Sequence, residues 1–273
     1  MATTTTLESM IPRIVTWLRA QGEAHHALAD AMEEAVLGQP APTPARTSLL
    51  VPAYFRDADP PAPSQWERLY AAAAKVDITV IANPASGPST SKTWAGIMAR
   101  IFSTPRMKAI GYVSTDYARF TTKLAAAITA DIAEWYRLYP GVVGIFFDEQ
   151  AKGPEHVGKY KVWFDDVHAR GGRVWSNPGL ACDPGYRSAA GADTLVLWEK
   201  NAASGVPTLP PWAKDAPDEA CAGLVSICDE ATMASYLPKM EMEGYRQVFF
   251  TSEPRWSGGL GSGFDRLVAL VSS

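Results

Sequence analysis

The chain is poor in the residues from which metal centres, disulfide scaffolds and nucleic-acid surfaces are built. Its 273 residues include three cysteines and four histidines. Cys182, Cys221 and Cys228 are odd in number and fit no metal-ligand spacing. A disulfide framework is thereby excluded and buried free thiols are expected. A Cys221–Cys228 bridge is disfavoured, because both lie in or directly beside one predicted strand. His25, His26, His156 and His168 do not group as ligands; three lie on predicted helices and one in a loop. A basic surplus is also missing. Lys+Arg number 25 against 29 Asp+Glu, a net charge of −4, which argues against a nucleic-acid partner. No apolar run approaches the roughly 20 residues of a membrane span. The opening Met1-Ala2-Thr3-Thr4-Thr5-Thr6 lacks a basic stretch followed by an apolar one, so no secretory signal is expected. No Ser–His–acid arrangement is seen. Gly258 to Gly263 is glycine-rich, but it follows the last predicted strand and lacks a Lys-Ser/Thr ending. It reads as a flexible rim loop, not as a phosphate cradle. No cofactor and no metal are expected.

What is present is a core-forming chain, 47% hydrophobic, in two unequal parts. Residues 1–38 read as helix. Positions 7, 11, 14, 18, 21, 25, 28, 32 and 35 carry Leu, Ile, Ile, Leu, Gln, His, Leu, Met and Ala. Those alternating steps of four and three make a coiled-coil seam. The seam would drive homo-oligomerisation through residues 7–38, for instance as a trimer, or anchor the chain to a larger assembly. The alternative is an amphipathic helix packed on the second part. Residues 39–46, Gln-Pro-Ala-Pro-Thr-Pro-Ala-Arg, predict a stiff, extended linker.

From residue 47 to 273, strands and helices alternate. Eight apolar runs are found at Ser48–Phe55, Ile78–Asn83, Ala109–Ser114, Val142–Phe147, Arg173–Asn177, Thr194–Trp198, Gly223–Cys228 and Gln247–Thr251. Most lack strict alternation, as expected of strands buried on both faces. Helical patterns separate them at 64–76, 91–102, 120–139, 160–170, 231–243 and 264–271. Eight such units in about 225 residues predict an α/β fold, a (β/α)8 TIM-type barrel preceded by the N-terminal helical segment. Residues 200–220, rich in Pro and Gly, predict a long loop or a degraded helix.

In such a barrel the chemistry sits at the C-terminal ends of the strands. There the fourth run ends in Asp148-Glu149 and the sixth in Glu199. Carboxylates at buried strand tips are costly unless used. If Val143, Ile145 and Phe147 face the helices, then Gly144, Phe146 and Asp148 face the barrel axis. Leu195, Leu197 and Glu199 share one parity, so inward leucines would bring Glu199 over the mouth beside Asp148. Paired carboxyl groups point to glycosidic bond cleavage. Tyr54, Asn83, Tyr112, Tyr117, Asn177, Trp198 and Glu253 stand at other strand tips, a mixture of rings and hydrogen-bonding groups suited to a sugar. Asp229-Glu230 read as the opening of the helix 231–243.

Six ordered motifs carry a resemblance. They are Val51 to Phe55, Ala82 to Pro88, Gly111 to Thr115, Gly144 to Glu149, Ser176 to Gly179, and Trp198-Glu199. Together they resemble the spherulin-4-like, or spherulation-specific, family of glycoside hydrolases, over about Ser48 to Thr251. The resemblance implies a (β/α)8 barrel acting on exopolysaccharides that contain galactosamine or N-acetylgalactosamine. It implies Asp148, Glu149 and Glu199 as the functional acids; we assign Asp148 as nucleophile, Glu199 as general acid/base and Glu149 as a supporting contact. Residues 1–46 lie outside it. A competing reading is a glycan-binding head with weak turnover, carried by a larger assembly such as a phage tail. A carboxylate metal site on Asp148-Glu149 lacks dedicated ligand spacing. The rim acids Asp57, Asp59, Asp116, Asp148, Glu149, Glu199, Asp229, Glu230 and Glu253 outnumber the nearby Arg56, Arg119, Lys200 and Arg255, which favours a neutral or cationic glycan.

Overall fold

The computed structural model describes residues 46–55, 64–120, 124–214, 216–217 and 219–272. The expected N-terminal helix and linker lie outside the described residues, as do Arg56, Asp57 and Asp59. Eight parallel strands close into one barrel in the order β1 to β8. They are β1 (Ser48–Ala53), β2 (Ile78–Ala82), β3 (Met107–Ser114), β4 (Gly144–Asp148), β5 (Arg173–Ser176), β6 (Thr194–Asn201), β7 (Cys221–Ser226) and β8 (Gln247–Phe250). The helices are α1 (Gln65–Ala72), α2 (Lys92–Ser103), α3 (Ala125–Leu138), α4 (Val157–Ala169), the single turn α5 (Gly185–Ser188), α6 (Glu230–Glu243) and α7 (Phe264–Ser272). No described helix is long and apolar enough to cross a membrane.

Every residue of β1 and β2 is buried. That is the physical reason the runs lack alternation: one face packs the barrel interior and the other the helices. The interior side is marked by Tyr112 stacked on Phe146 with ring centroids 6.3 Å apart. Below them the Trp175 indole N–H donates to Gln247 Oε1 at 2.8 Å. The helix side is marked by glycines. A Cβ on Gly111 would come within 2.4 Å of the Trp135 ring on α3, and one on Gly223 within 2.4 Å of the Met240 methyl on α6. Phe146 and Asp148 therefore share the axial face of β4, as alternation predicts.

Helix ends follow ordinary capping chemistry. The Asp229 side chain accepts from Thr232 N at 2.7 Å at the start of α6, and Gly244 closes that helix in the left-handed region at φ 107. Its hydrogen bonds with Thr232 hold the Asp229 carboxyl below the usual range. Between β6 and β7, where a long loop or a degraded helix is expected, there are two short 3-10 turns, Ala202–Ser204 and Pro211–Ala213. All three cysteines are buried and free.

Candidate active site

Asp148 closes β4 and points up the barrel axis. Its Oδ2 accepts from the Tyr112 hydroxyl at 2.8 Å, and its Oδ1 from Asn177 Nδ2 at 2.8 Å. The same Asn177 nitrogen donates to Glu199 Oε2 at 2.7 Å. Sharing one donor atom, these two carboxylate oxygens lie no more than 5.5 Å apart. The amide has one workable orientation: Asn177 Oδ1 accepts from Gly179 N at 2.9 Å, so the NH2 must face the acids. The second oxygen of Glu199 accepts from the Trp256 indole N–H at 2.6 Å.

Glu199 reaches this place by a route that alternation does not foresee. The β6–β7 register slips between Val196 and Trp198: Val196 pairs with Ala222, but Trp198 pairs with Gly223. Gly223 faces α6, so Ala222 and Leu224 face the axis, and with them their partners Val196 and Glu199. Leu195, paired with Cys221, faces outward. The expectation that inward leucines carry Glu199 inward is therefore corrected. A bulge at Leu197 reverses the parity of the strand end. The Glu199 backbone N–H then donates to Gly179 O at 2.8 Å, tying the bulged end to the loop that orients Asn177.

Burial first, and the charge of Glu199 second, push the Asp148 carboxyl up to about 6, although Tyr112 and Asn177 donate to its charged form. Burial and then Asp148 raise the Tyr112 phenol far above its ordinary value, so it stays a donor. Tyr54 sits edge-on to Tyr112, with centroids 5.5 Å apart, and its phenol is raised by burial and by Asp148. Glu149 has turned into the left-handed region at φ 55. Its carboxylate accepts from the Ser114 hydroxyl, at the rim beside Asp148.

The remaining candidates divide. Tyr117 stands at the mouth, its phenol raised by burial and then by Glu149, Asp148 and Glu199. Asn83 spends its side-chain oxygen on Ser86 N at 2.7 Å, which shapes the loop after β2. Trp198 faces away from the acids. It lines a separate cavity of about 470 Å³ with Lys152, Leu180 and Thr208. Glu253 lies against Gly258 in the loop that carries Trp256. Its backbone carbonyl accepts from Ile227 N, so it braces that loop. Asp116 is buried and paired with Arg119 at 3.4 Å. The sequence pattern gives Trp256 no role. Ser114 was likewise read only as the end of a strand. Both contacts join residues at least 35 positions apart, and a linear pattern carries no signal for them. Among the described residues, no three His, Cys, Asp or Glu side chains are placed to hold a metal ion.

The spherulation-specific family 4 model matches residues 48–271, the entire barrel. The chain belongs to this family. Spherulin-4 of Physarum polycephalum is 30% identical over 176 residues, which cover 62% of this chain and 49% of that protein. The chain thus spans about half the length of that relative. The crystal structure of Aspergillus clavatus Sph3 in complex with GalNAc superposes with a TM-score of 0.69 at 23% identity, over 84% of this chain and 98% of that one. At that identity the likeness speaks for the family fold. The acids at the tips of β4 and β6 lie within the matched stretch.

Proposed function

We propose that the chain is a retaining, endo-acting glycoside hydrolase of a polysaccharide containing galactosamine or N-acetylgalactosamine. The observation that carries this reading is the single Asn177 nitrogen bridging Asp148 and Glu199. Retaining enzymes hold their carboxyl groups about 5–5.5 Å apart, inverting ones about 6.5–9.5 Å, to admit a water. An upper limit of 5.5 Å between the bridged oxygens favours the first. Sph3, with the same fold, is crystallised with GalNAc, which supports an amino sugar as the bound unit.

In the first step an Asp148 oxygen bonds to the anomeric carbon as the glycosidic C–O bond breaks. Glu199 gives its proton to the departing oxygen. In the second step Glu199 takes a proton from water, whose oxygen displaces Asp148 and restores the starting pair. Asp148 suits the nucleophile: it is the shorter acid, with both oxygens held by donors. Glu199 suits the acid/base, being longer and nearer the rim. Trp256 and Asn177 fix it at both oxygens. Glu149, held by Ser114, supports the site from the side.

The direct test measures release of reducing ends from galactosamine-containing exopolysaccharide. Wild type should release them, while Asp148→Asn and Glu199→Gln should lose at least about 10³-fold in kcat and still bind the polymer. Binding without release by the wild type would make this chain a glycan-binding barrel instead.

A further inference from the structure

Beside the acids the backbone runs through an unusual stretch. Asp116, Tyr117 and Ala118 lie in succession at φ 49, 53 and 56, and Phe120 follows at φ 58. None is glycine, and side-chain-bearing residues enter this region singly, not in runs. The facing residue, Glu149, is itself at φ 55. Such conformations persist only where their surroundings over-determine them.

The surroundings here are the backbone of the acid-bearing loop. Tyr117 N donates to Glu149 O at 2.7 Å, and Thr115 N to Asp148 O at 3.0 Å. The Thr115 hydroxyl lies 2.9 Å from the carbonyls of both Asp148 and Glu149. That hydroxyl is 2.6 Å from Tyr160 OH, which accepts from Ala151 N at 2.9 Å. Tyr160 therefore donates to Thr115, and Thr115 donates onward to the two carbonyls. The strained turn and the loop at 148–151 are latched to each other through the backbone N–H groups of Thr115 and Tyr117 and through the Thr115 hydroxyl.

The turn leaves one large group exposed. Tyr117 is 42% accessible, and its phenol senses Glu149, Asp148 and Glu199. The Arg119 guanidinium covers its ring at 4.7 Å from the centroid and pairs with Asp116. Resting on the glycosidase reading, we infer that residues 115–118 form a strained pedestal with two duties. It presents Tyr117 as a stacking platform for a sugar next to the cleaved bond, and it fixes the backbone that aims Asp148 and Glu149. Thr115 and Tyr160, which do not touch substrate, are positioning residues.

The test separates strain, platform and latch. Tyr117→Gly should melt about 2–4 °C above Tyr117→Ala, because both lose the ring and only alanine keeps the left-handed penalty. Tyr117→Ala should raise KM about tenfold with kcat unchanged, and Tyr117→Phe should restore KM, since the ring and not the hydroxyl stacks. Thr115→Val should lower kcat about tenfold with KM unchanged. Equal melting of the glycine and alanine variants would remove the strain argument. An unchanged KM in Tyr117→Ala, with the wild type turning over, would overturn the platform and leave the glycosidase reading standing. Equal losses of kcat and raised KM in Thr115→Val would reduce the latch to a general structural contact. A wild type that neither binds nor cleaves the polymer would end both readings, whatever the melting temperatures show.

Discussion

Asp148 departs from an ordinary carboxyl, because burial and then the charge of Glu199, which shares the same amide, lift it. As the nucleophile of a retaining mechanism, Asp148 must be ionised. With Asp148 lifted to about 6, its carboxylate becomes the main form as pH rises through that value. The acid limb of kcat/KM is therefore expected near pH 6, with activity falling as pH drops below it. Full activity kept down to pH 4 in a reducing-end assay would refute the assignment. The same lift has a cost in stability. A carboxyl raised in the fold disfavours the charged form there. Its contribution is neutral below the unfolded value near 4, turns destabilising as pH rises from there, and is fully developed above about 6. The loss is on the order of 3 kcal/mol for a shift of this size. The Tm advantage of Asp148→Asn over wild type, though the variant is inactive, should grow between pH 4 and pH 6 and level off above. A difference that stays constant from pH 4 to pH 6 would contradict the burial argument. At this scale the sequence was informative about Asp148, because a carboxylate two residues beyond the buried Phe146 must share its face. It was silent on Asn177 as a bridge, because that role depends on where Glu199 arrives.

The elements show the same division between local and long-range causes. Strands declared themselves as apolar runs because both of their faces are buried, and helices by amphipathic spacing and terminal glycines such as Gly244. The bulge at Leu197 was illegible: Leu195, Val196 and Leu197 are all buried, so hydrophobicity cannot say which faces the axis. The left-handed turn at 116–118 was equally hidden, since Asp-Tyr-Ala carries none of the glycine or asparagine that usually marks that region. Glycine placement within strands is more telling. Gly111 stands where β3 touches the Trp135 ring, whose indole N–H donates to Tyr112 O at 2.9 Å. A methyl there must displace a fully buried ring or the strand itself. Gly111→Ala is expected to cost about 1–3 kcal/mol, a fall of roughly 2–12 °C in Tm by calorimetry. Because Tyr112 follows directly and holds Asp148, kcat should drop as well. An alanine variant that melts with the wild type would show that α3 does not pack on β3 as described.

At the scale of the whole molecule, the question is how charge at the mouth selects a polymer. The sequence suggested nine rim acids, and the fold reassigns several of them. Asp229 caps α6, Asp116 is neutralised by Arg119, and Glu253 braces a loop. Among the described residues, the field at the cleft then comes chiefly from Asp148, Glu149 and Glu199, which have no cation among their described hydrogen-bond partners. Carboxyl groups gathered at the ends of β4 and β6 raise the local concentration of a cationic glycan and repel an anionic one. A partly deacetylated galactosamine polymer should therefore be cleaved faster than a uronic-acid polymer of similar length. Its advantage should shrink when salt is raised from about 0.01 to 0.15 M, as the screening length falls from about 30 to 8 Å. Glu149→Gln should reduce that salt dependence by removing one carboxylate from the cleft. Equal rates on the two polymers, or a preference that ignores ionic strength, would mean that ring shape and hydrogen bonding choose the substrate and that the acids serve the chemistry alone.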